Sequence, residues 1–313
     1  MPEVSQVHVN VALTNVSLGY RNPAFISDLV APPVGVRKQQ DRYFIYDSAR
    51  EAFRSSDDKR APGAAANEVD FSLSNETYYC EDHALVSVIP DEERENADPA
   101  IQPDIDRTEF LTDKIELNKE IELADVVASD ASLPGETLSG TDQWSDGANS
   151  DPIGDVETGK AAVIEAVQVM PNTLVLPYEV YAKVRVHPDV IGAVKYSVMG
   201  IPNADVLSQL FDVQRVLVPR AVRNTAAPGA SPSMTYVWGK NAFLCYAPPR
   251  AALKTVTFAY SFTWTSAPGS VSGRVVETWR EHPRKSDVVR VQRYYDQKVI
   301  AAGAIYVWKN AVA

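Results

Sequence analysis

The stretch Gly154-Asp155-Val156-Glu157-Thr158-Gly159-Lys160-Ala161 matches a phosphate-binding loop at every required position except the last. That loop needs Ser or Thr after its lysine to hold magnesium, and Ala161 offers no ligand atom. Asp155 and Glu157 would repel the phosphates that backbone N–H groups should cradle. The surroundings also differ. No buried strand leads into Gly154, and Asp151-Pro152 just upstream is a helix start, with Asp as the cap and Pro where its missing N–H costs nothing. A P-loop-like nucleotide-binding protein is thus an alternative that its own context opposes, and a magnesium-dependent nucleotide shift in melting would revive it.

The other chemistry-bearing residues are scattered. His8, His83, His187 and His282 have no second histidine at metal spacing. Cys80 and Cys245 are too few and too distant for a zinc site or a disulfide framework, and read as small buried residues of a reducing compartment. In Gly269-Ser270-Val271-Ser272-Gly273 a valine occupies the nucleophile position of a hydrolase elbow. Asp57-Asp58 and Glu92-Glu93 sit in polar runs, whereas a carboxylate dyad needs burial to separate two pKa values. Val256, Phe258, Tyr260, Phe262 and Trp264 share one face of a strand and could stack bases or sugars. With no Lys or Arg interleaved, they read as core. No catalytic, cofactor-binding or metal-binding residue is assigned, and the chain reads as something other than an enzyme.

What positions these residues is a chain of 313 residues, 45% hydrophobic, long enough for one large core or two smaller ones, of which two are expected. No run reaches the roughly 18 apolar residues of a spanning helix, and no Lys or Arg in the first 20 residues starts a secretory signal. A soluble protein made in the cytoplasm is expected, with no membrane partner. Charge is segregated: residues 81–165 carry 5 basic and 23 acidic groups, and residues 166–313 carry 17 and 8. Copies meeting head to tail could oppose these signs, or both faces could simply be solvated. The scattered basic residues and a pI near 4.9 argue against a dedicated nucleic-acid binder.

Residues 1–33 alternate Val7, Val9, Val11 and Leu13, then turn at Arg21-Asn22-Pro23 and stiffen at Pro32-Pro33, which predicts an arm crossing a surface. Residues 37–47 and 68–89 read as two strands around a polar tip at 55–66, forming a long charged ribbon. Such a ribbon is marginal in water unless something covers it, and a neighbouring copy is the simplest cover.

A Pro- and acid-rich connector at 90–103 leads to a helix capped at Asp106, with Glu109 completing a capping box, running to about residue 129. Its expected apolar stripes are Phe110, Leu117, Ile121, Ala124 and Ala128, and Leu111, Ile115 and Val126. Residues 130–150 form a polar loop with a lone Trp144 before the Asp151-Pro152 helix, which ends near residue 168. Short elements follow: a strand at 173–176, helices at 177–186, 188–199 and 204–211, and strands at 215–218, 235–238, 242–246, 255–264, 274–280 and 287–295. An apolar segment at 299–308 has enough Ala and Gly to lie against another backbone. Strands and helices mix without a βαβ rhythm, so the class is α+β.

In order, these are an N-terminal arm, an extended ribbon, a helix, a polar loop, a capped long helix, a mixed domain and late long strands. This order resembles the Hong Kong 97-like fold of tailed-phage major capsid proteins. The most telling segments run from Trp144-Ser145-Asp146 to Ser150-Asp151-Pro152-Ile153, through Arg185-Val186-His187-Pro188-Asp189-Val190-Ile191, along Leu210-Phe211-Asp212-Val213-Gln214-Arg215-Val216-Leu217-Val218-Pro219, and from Tyr294-Tyr295-Asp296 to Asn310-Ala311-Val312.

The resemblance implies an N-arm at 1–33, an E-loop at 34–89, a peripheral domain at 90–174 with a spine helix at 153–168, an axial domain at 175–275, and return strands of the peripheral domain at 276–313. It implies a structural subunit that forms pentamers and hexamers of an icosahedral virion shell, assembled in the host cytoplasm around double-stranded DNA contacted non-specifically. A portal and a decoration protein are implied partners. Because Met1 stands only a few residues before the arm, a separate scaffolding protein is expected. Some members weld a loop Lys to a distant Asn; Lys59 and Asn310 have the residue types but match no motif, so no residues are assigned. An encapsulin-like cellular shell protein shares the fold and is the alternative, though the long ribbon and the absence of an obvious cargo-docking N-terminal helix favour a virus.

Overall fold

The computed structural model describes residues 8–20, 22–46, 55, 58–60, 62–63, 65–68, 73–97, 102–195, 201–250, 255–270 and 272–313. The first elements correct the extended arm. After β1 (His8–Val9), Asn10 accepts from the Leu13 N–H at 3.1 Å and caps helix α1 (Val11–Gly19). Leu13, Thr14 and Ser17 fall on one helical face and are buried, with Ser17 bonded to Thr112 at 2.8 Å. The expected surface-crossing arm is here a capped helix with a packed face; Val7 lies outside the described residues. Helix α2 (Ser27–Val30) follows, and Val30 and Ala31 enter the core.

Next come β2 (Pro33–Val36), β3 (Gln40–Tyr46), β4 (Leu73–Tyr79) and β5 (Glu81–Pro90). The expected second ribbon strand is therefore two strands. The chain breaks at buried Cys80, β4 pairs with β3, and β5 leaves to pair with a late strand. The acid-rich connector holds helix α3 (Asp91–Glu95).

Helix α4 (Pro103–Ser129) starts earlier than the capping-box pattern indicates: Pro103 sits in the first turn and Asp106 lies inside. Its buried face is Thr108, Leu111, Thr112, Ile115, Lys119, Glu120, Leu123, Ala124 and Val127, while Phe110 is 53% exposed. Leu111, Ile115 and Ala124 of the expected stripes are buried, but two buried charges, Lys119 and Glu120, lie on the same face, which hydrophobicity alone does not show.

The loop carries strand β6 (Gly135–Thr137), and its lone Trp144 is buried. Helix α5 (Pro152–Val167) begins as expected, with Asp151 accepting from the Ile153 and Gly154 N–H groups at 3.1 and 3.0 Å. Then come β7 (Thr173–Val175), α6 (Tyr178–Val184), α7 (Pro188–Val194), α8 (Ala204–Leu210), β8 (Arg215–Leu217), β9 (Val222–Asn224), β10 (Met234–Tyr236) and β11 (Ala242–Cys245). Part of the helix expected at 188–199 lies outside the described residues. β12 (Ala259–Trp264), β13 (Arg274–Glu281), β14 (Ser286–Val299) and β15 (Ile305–Lys309) complete the chain. β12 is shorter than expected and buried on both faces, with Ala259 in one cluster and Tyr260 and Phe262 in another, and its edges pair with β14 and β2.

Two larger sheets result. One runs β1-β13-β14-β12-β2, with β5 also on β14, and α4 and α1 cover one side of it. The other runs β6-β15-β11-β7-β8 and is filled on both faces: Phe243, Cys245 and Val307 point into one cluster, and Ala242, Leu244 and Trp308 into another. The two larger clusters thus lie on opposite faces of this second sheet, and two smaller clusters lie beneath α4 and at the ribbon. Gly159 of α5 lets the Trp308 ring approach, since a Cβ there would lie 2.6 Å from it, and Gly303 meets Ala166 in the same close manner.

Candidate assembly surface

Strands β3 and β4 form a two-stranded antiparallel sheet that pairs with no other strand among the described residues. Among the described residues, the ribbon is held at its root. Tyr78 stacks on Phe262 with centroids 4.7 Å apart, and Tyr43 meets the same ring at 5.1 Å. Backbone groups are tied as well: the Trp264 Nε1 donates to the Arg37 carbonyl at 2.9 Å, Gln39 Nε2 to the Cys80 carbonyl at 3.0 Å, and the Tyr79 N–H to Asp296 Oδ2 at 2.9 Å. Farther out, Asn75, Glu76 and Thr77 are exposed. Most of residues 47–72 lie outside the described residues, among them Asp57 and three other positions of the expected tip.

A second device fixes residues 22–31, just before the ribbon. Glu120 is buried and accepts from the Ile26 and Ser27 N–H groups at 3.0 and 2.7 Å and from Trp238 Nε1 at 2.6 Å. Burial pushes its carboxyl pKa up, and these donors oppose that rise. Its neighbour Lys119, fully buried, pairs with Asp28 and lies 5.6 Å from the Tyr295 ring centroid. Burial pushes Lys119 down and Arg293 adds to this, while Asp28 and Glu116 pull the other way. Two adjacent charges on α4 therefore clamp the segment from which the ribbon departs.

The charge segregation is partly neutralised inside the chain. Arg280 of β13 grips Asp91 of α3 at 2.5 and 2.6 Å, Arg94 reaches Asp287 at 2.7 Å, and Arg274 and Arg293 both pair with Glu116. The acidic middle and the basic C-terminal half meet within one subunit, so only the remainder is free for neighbours.

The chemistry-bearing residues stay apart. Within the 154–161 stretch, the N–H groups at the start of α5 turn to Asp151, Lys160 is buried and donates to Glu157 at 2.7 Å, and Asp155 accepts from Trp144 Nε1 at 2.7 Å. Buried His187 bonds Ser150 at 3.1 Å and caps α7 through the Asp189 N–H. His83 stacks on Tyr295 at 4.0 Å, His282 lies in an exposed turn and His8 in β1. Both cysteines are buried, and burial raises each thiol to about 12. Glu92 and Glu93 line an open cleft of about 750 Å³ with Asp106, Arg107 and Phe110. The aromatic face of β12 supports the ribbon root. Sequence reasoning missed the Lys119–Glu120 clamp, whose one signal was two charges at apolar positions of a helix.

No family model matches the sequence. A major capsid protein of Pseudomonas phage JBD67 is 30% identical over 311 residues, covering 97% of each chain. One of Burkholderia phage BcepMu is 28% identical over 303 residues, covering 95% of each. Among solved structures, a phage-related protein from Bordetella bronchiseptica RB50 matches with a TM-score of 0.76 at 25% identity over 97% of each chain. The capsid of cyanophage P-SCSP1u, with a TM-score of 0.60 at 9% identity, covers 93% of this chain and 89% of its own. An encapsulin complex of Synechococcus elongatus, with 0.52 at 12%, covers 96% and 95%. These last two share the fold alone.

Proposed function

From the premise that this chain belongs to the phage major capsid protein family, we propose that it builds the virion shell by laying its β3–β4 ribbon on an adjacent copy. The observation that carries the reading is a ribbon anchored at its root by Phe262 and Trp264 while its two strands pair with no third strand among the described residues. A two-stranded sheet gains little stability alone, and a neighbour's surface supplies what the chain lacks.

In this reading the fold is Hong Kong 97-like. The ribbon is the E-loop, α5 is the spine helix, residues 90–174 with the return strands at 276–313 form the peripheral domain, and residues 175–275 form the axial domain. Five or six copies close a ring by heterologous contacts, and the rings tile an icosahedron around double-stranded DNA. Each contact can be modest because many form together. Assembly in the host cytoplasm, with separate scaffolding and portal proteins, completes the proposal. An encapsulin-like role rests on shared fold only, against 30% identity to a phage protein along nearly the whole chain.

Electron microscopy of particles purified after co-expression with the adjacent reading frames tests the shell role. Closed icosahedral shells built of this chain are expected, and a population of lone subunits at high concentration would overturn it.

A further inference from the structure

Helices α3 and α4 border the open cleft of about 750 Å³, a size usual for ligand-binding clefts. Its lining is of two kinds. Ala97, Pro103 and Phe110 supply apolar surface, and Phe110 is 53% exposed on a helix whose other face is packed. Lys114, outside the lining, holds its Nζ 5.0 Å from the Phe110 ring centroid, so this ring already takes a cation on one side. Glu92, Glu93 and Asp106 supply negative charge. Arg107 offsets Glu93 alone, donating to its Oε1 at 2.6 Å. Glu92 and Asp106 are exposed and pair with no basic side chain among the described residues. Arg94 brings them no relief, since Asp104 and Asp287 hold it at 2.8 and 2.7 Å.

We propose that this cleft docks a lysine- or arginine-bearing segment of a separate protein, which sets one apolar side chain on Phe110 while its cations meet Glu92 and Asp106. Charge complementarity selects the occupant. An aromatic ring in a cleft is the kind of anchor on which binding energy concentrates, and the flanking carboxylates fix which segments may approach it. The same negative field repels phosphates, so nucleic acid does not fit. A second copy of this chain fits poorly too, because Arg274, Arg280, Arg290 and Arg293 of its basic half are already held by carboxylates of their own chain. The docking goes beyond the shell reading and does not depend on it.

The test is fluorescence anisotropy on the dispersed full-length subunit, with a labelled short peptide of lysines around a single phenylalanine as the probe. Saturable, salt-sensitive binding is expected. It should weaken about tenfold or more in F110S, in E92K/D106K, and when the phenylalanine of the peptide is replaced by serine. Each substituted position is exposed, so the melting temperature should hold in both variants. Binding lost in E92K/D106K yet unchanged in F110S and with the serine peptide would reveal diffuse charge attraction and overturn the docking, as would the absence of saturable binding. Wild-type subunits that self-associate, and cease to in F110S, would give the cleft to a second copy and overturn the separate partner. Shell formation is read independently by microscopy, so a failure of the docking is distinguishable from a failure of the shell reading.

Discussion

The ring of Tyr78 lies nearly parallel to that of Phe262, 4.7 Å away and inclined by 16°, and this stack fixes where the ribbon leaves the body. Phe262 is 5% exposed, and Tyr43 packs on it from the opposing ribbon strand. Truncating such a ring usually costs about 3–5 kcal/mol. Phe262→Ala should lower unfolding stability by about that amount in urea and abolish shell formation, and Phe262→Leu should recover much of both.

The Glu120 carboxylate answers three N–H donors, so an amide is a poor substitute although its shape is the same. An amide NH2 would face a donor and strand it. Glu120→Gln should destabilise by about 1–3 kcal/mol, measured by chemical denaturation. Stability equal to the wild type would show that the clamp contributes nothing.

Asp28 gives acid sensitivity. Burial alone would raise its carboxyl, but Lys119, with Arg293 and Arg274, more than offsets this and holds the pKa down at about 2. The folded state then binds that proton less readily than the unfolded chain. Its contribution is complete above about pH 4 and is lost as pH falls from about 4 to about 2. Melting temperature should fall across that window, and Asp28→Asn should flatten this part of the profile while lowering stability at neutral pH.

Gly159 is required by its neighbour. Adding a methyl would place a carbon 2.6 Å from the Trp308 ring, itself fully buried. Overpacking costs about 1–3 kcal/mol, more than the gain of at most about 1 kcal/mol from Ala in a helix. Gly159→Ala should therefore melt lower than the wild type, and a higher melting point would contradict the packing of α5 on β15.

Much of the fold was readable from local chemistry. Asp151-Pro152 announced α5 because cap and proline act within a few residues, and the short elements from β7 to β8, with β10 and β11, follow their own turn signals, while β9 was not expected. The misreadings arose where distant residues decide. Asn10 starts a helix whose buried face depends on α4, nearly a hundred residues later. Lys119 and Glu120 look solvated until Asp28 and the Ile26 N–H are brought to them. Cys80 ends one strand because Phe262 and its neighbours close over it, while nothing in Tyr78-Tyr79-Cys80-Glu81 signals a break. The ribbon's existence was legible and its extent was not, since β5 belongs to a sheet whose other strands come late in the chain.

Backbone hydrogen exchange along β3 and β4, compared between dispersed subunits and assembled shells, tests the central claim most directly. If a neighbouring copy covers the ribbon, its amides beyond the Phe262 root should exchange rapidly in the free subunit and become strongly protected in the shell. Equal protection in both states would mean that the ribbon needs no second copy, and the shell-building role drawn from it would fail.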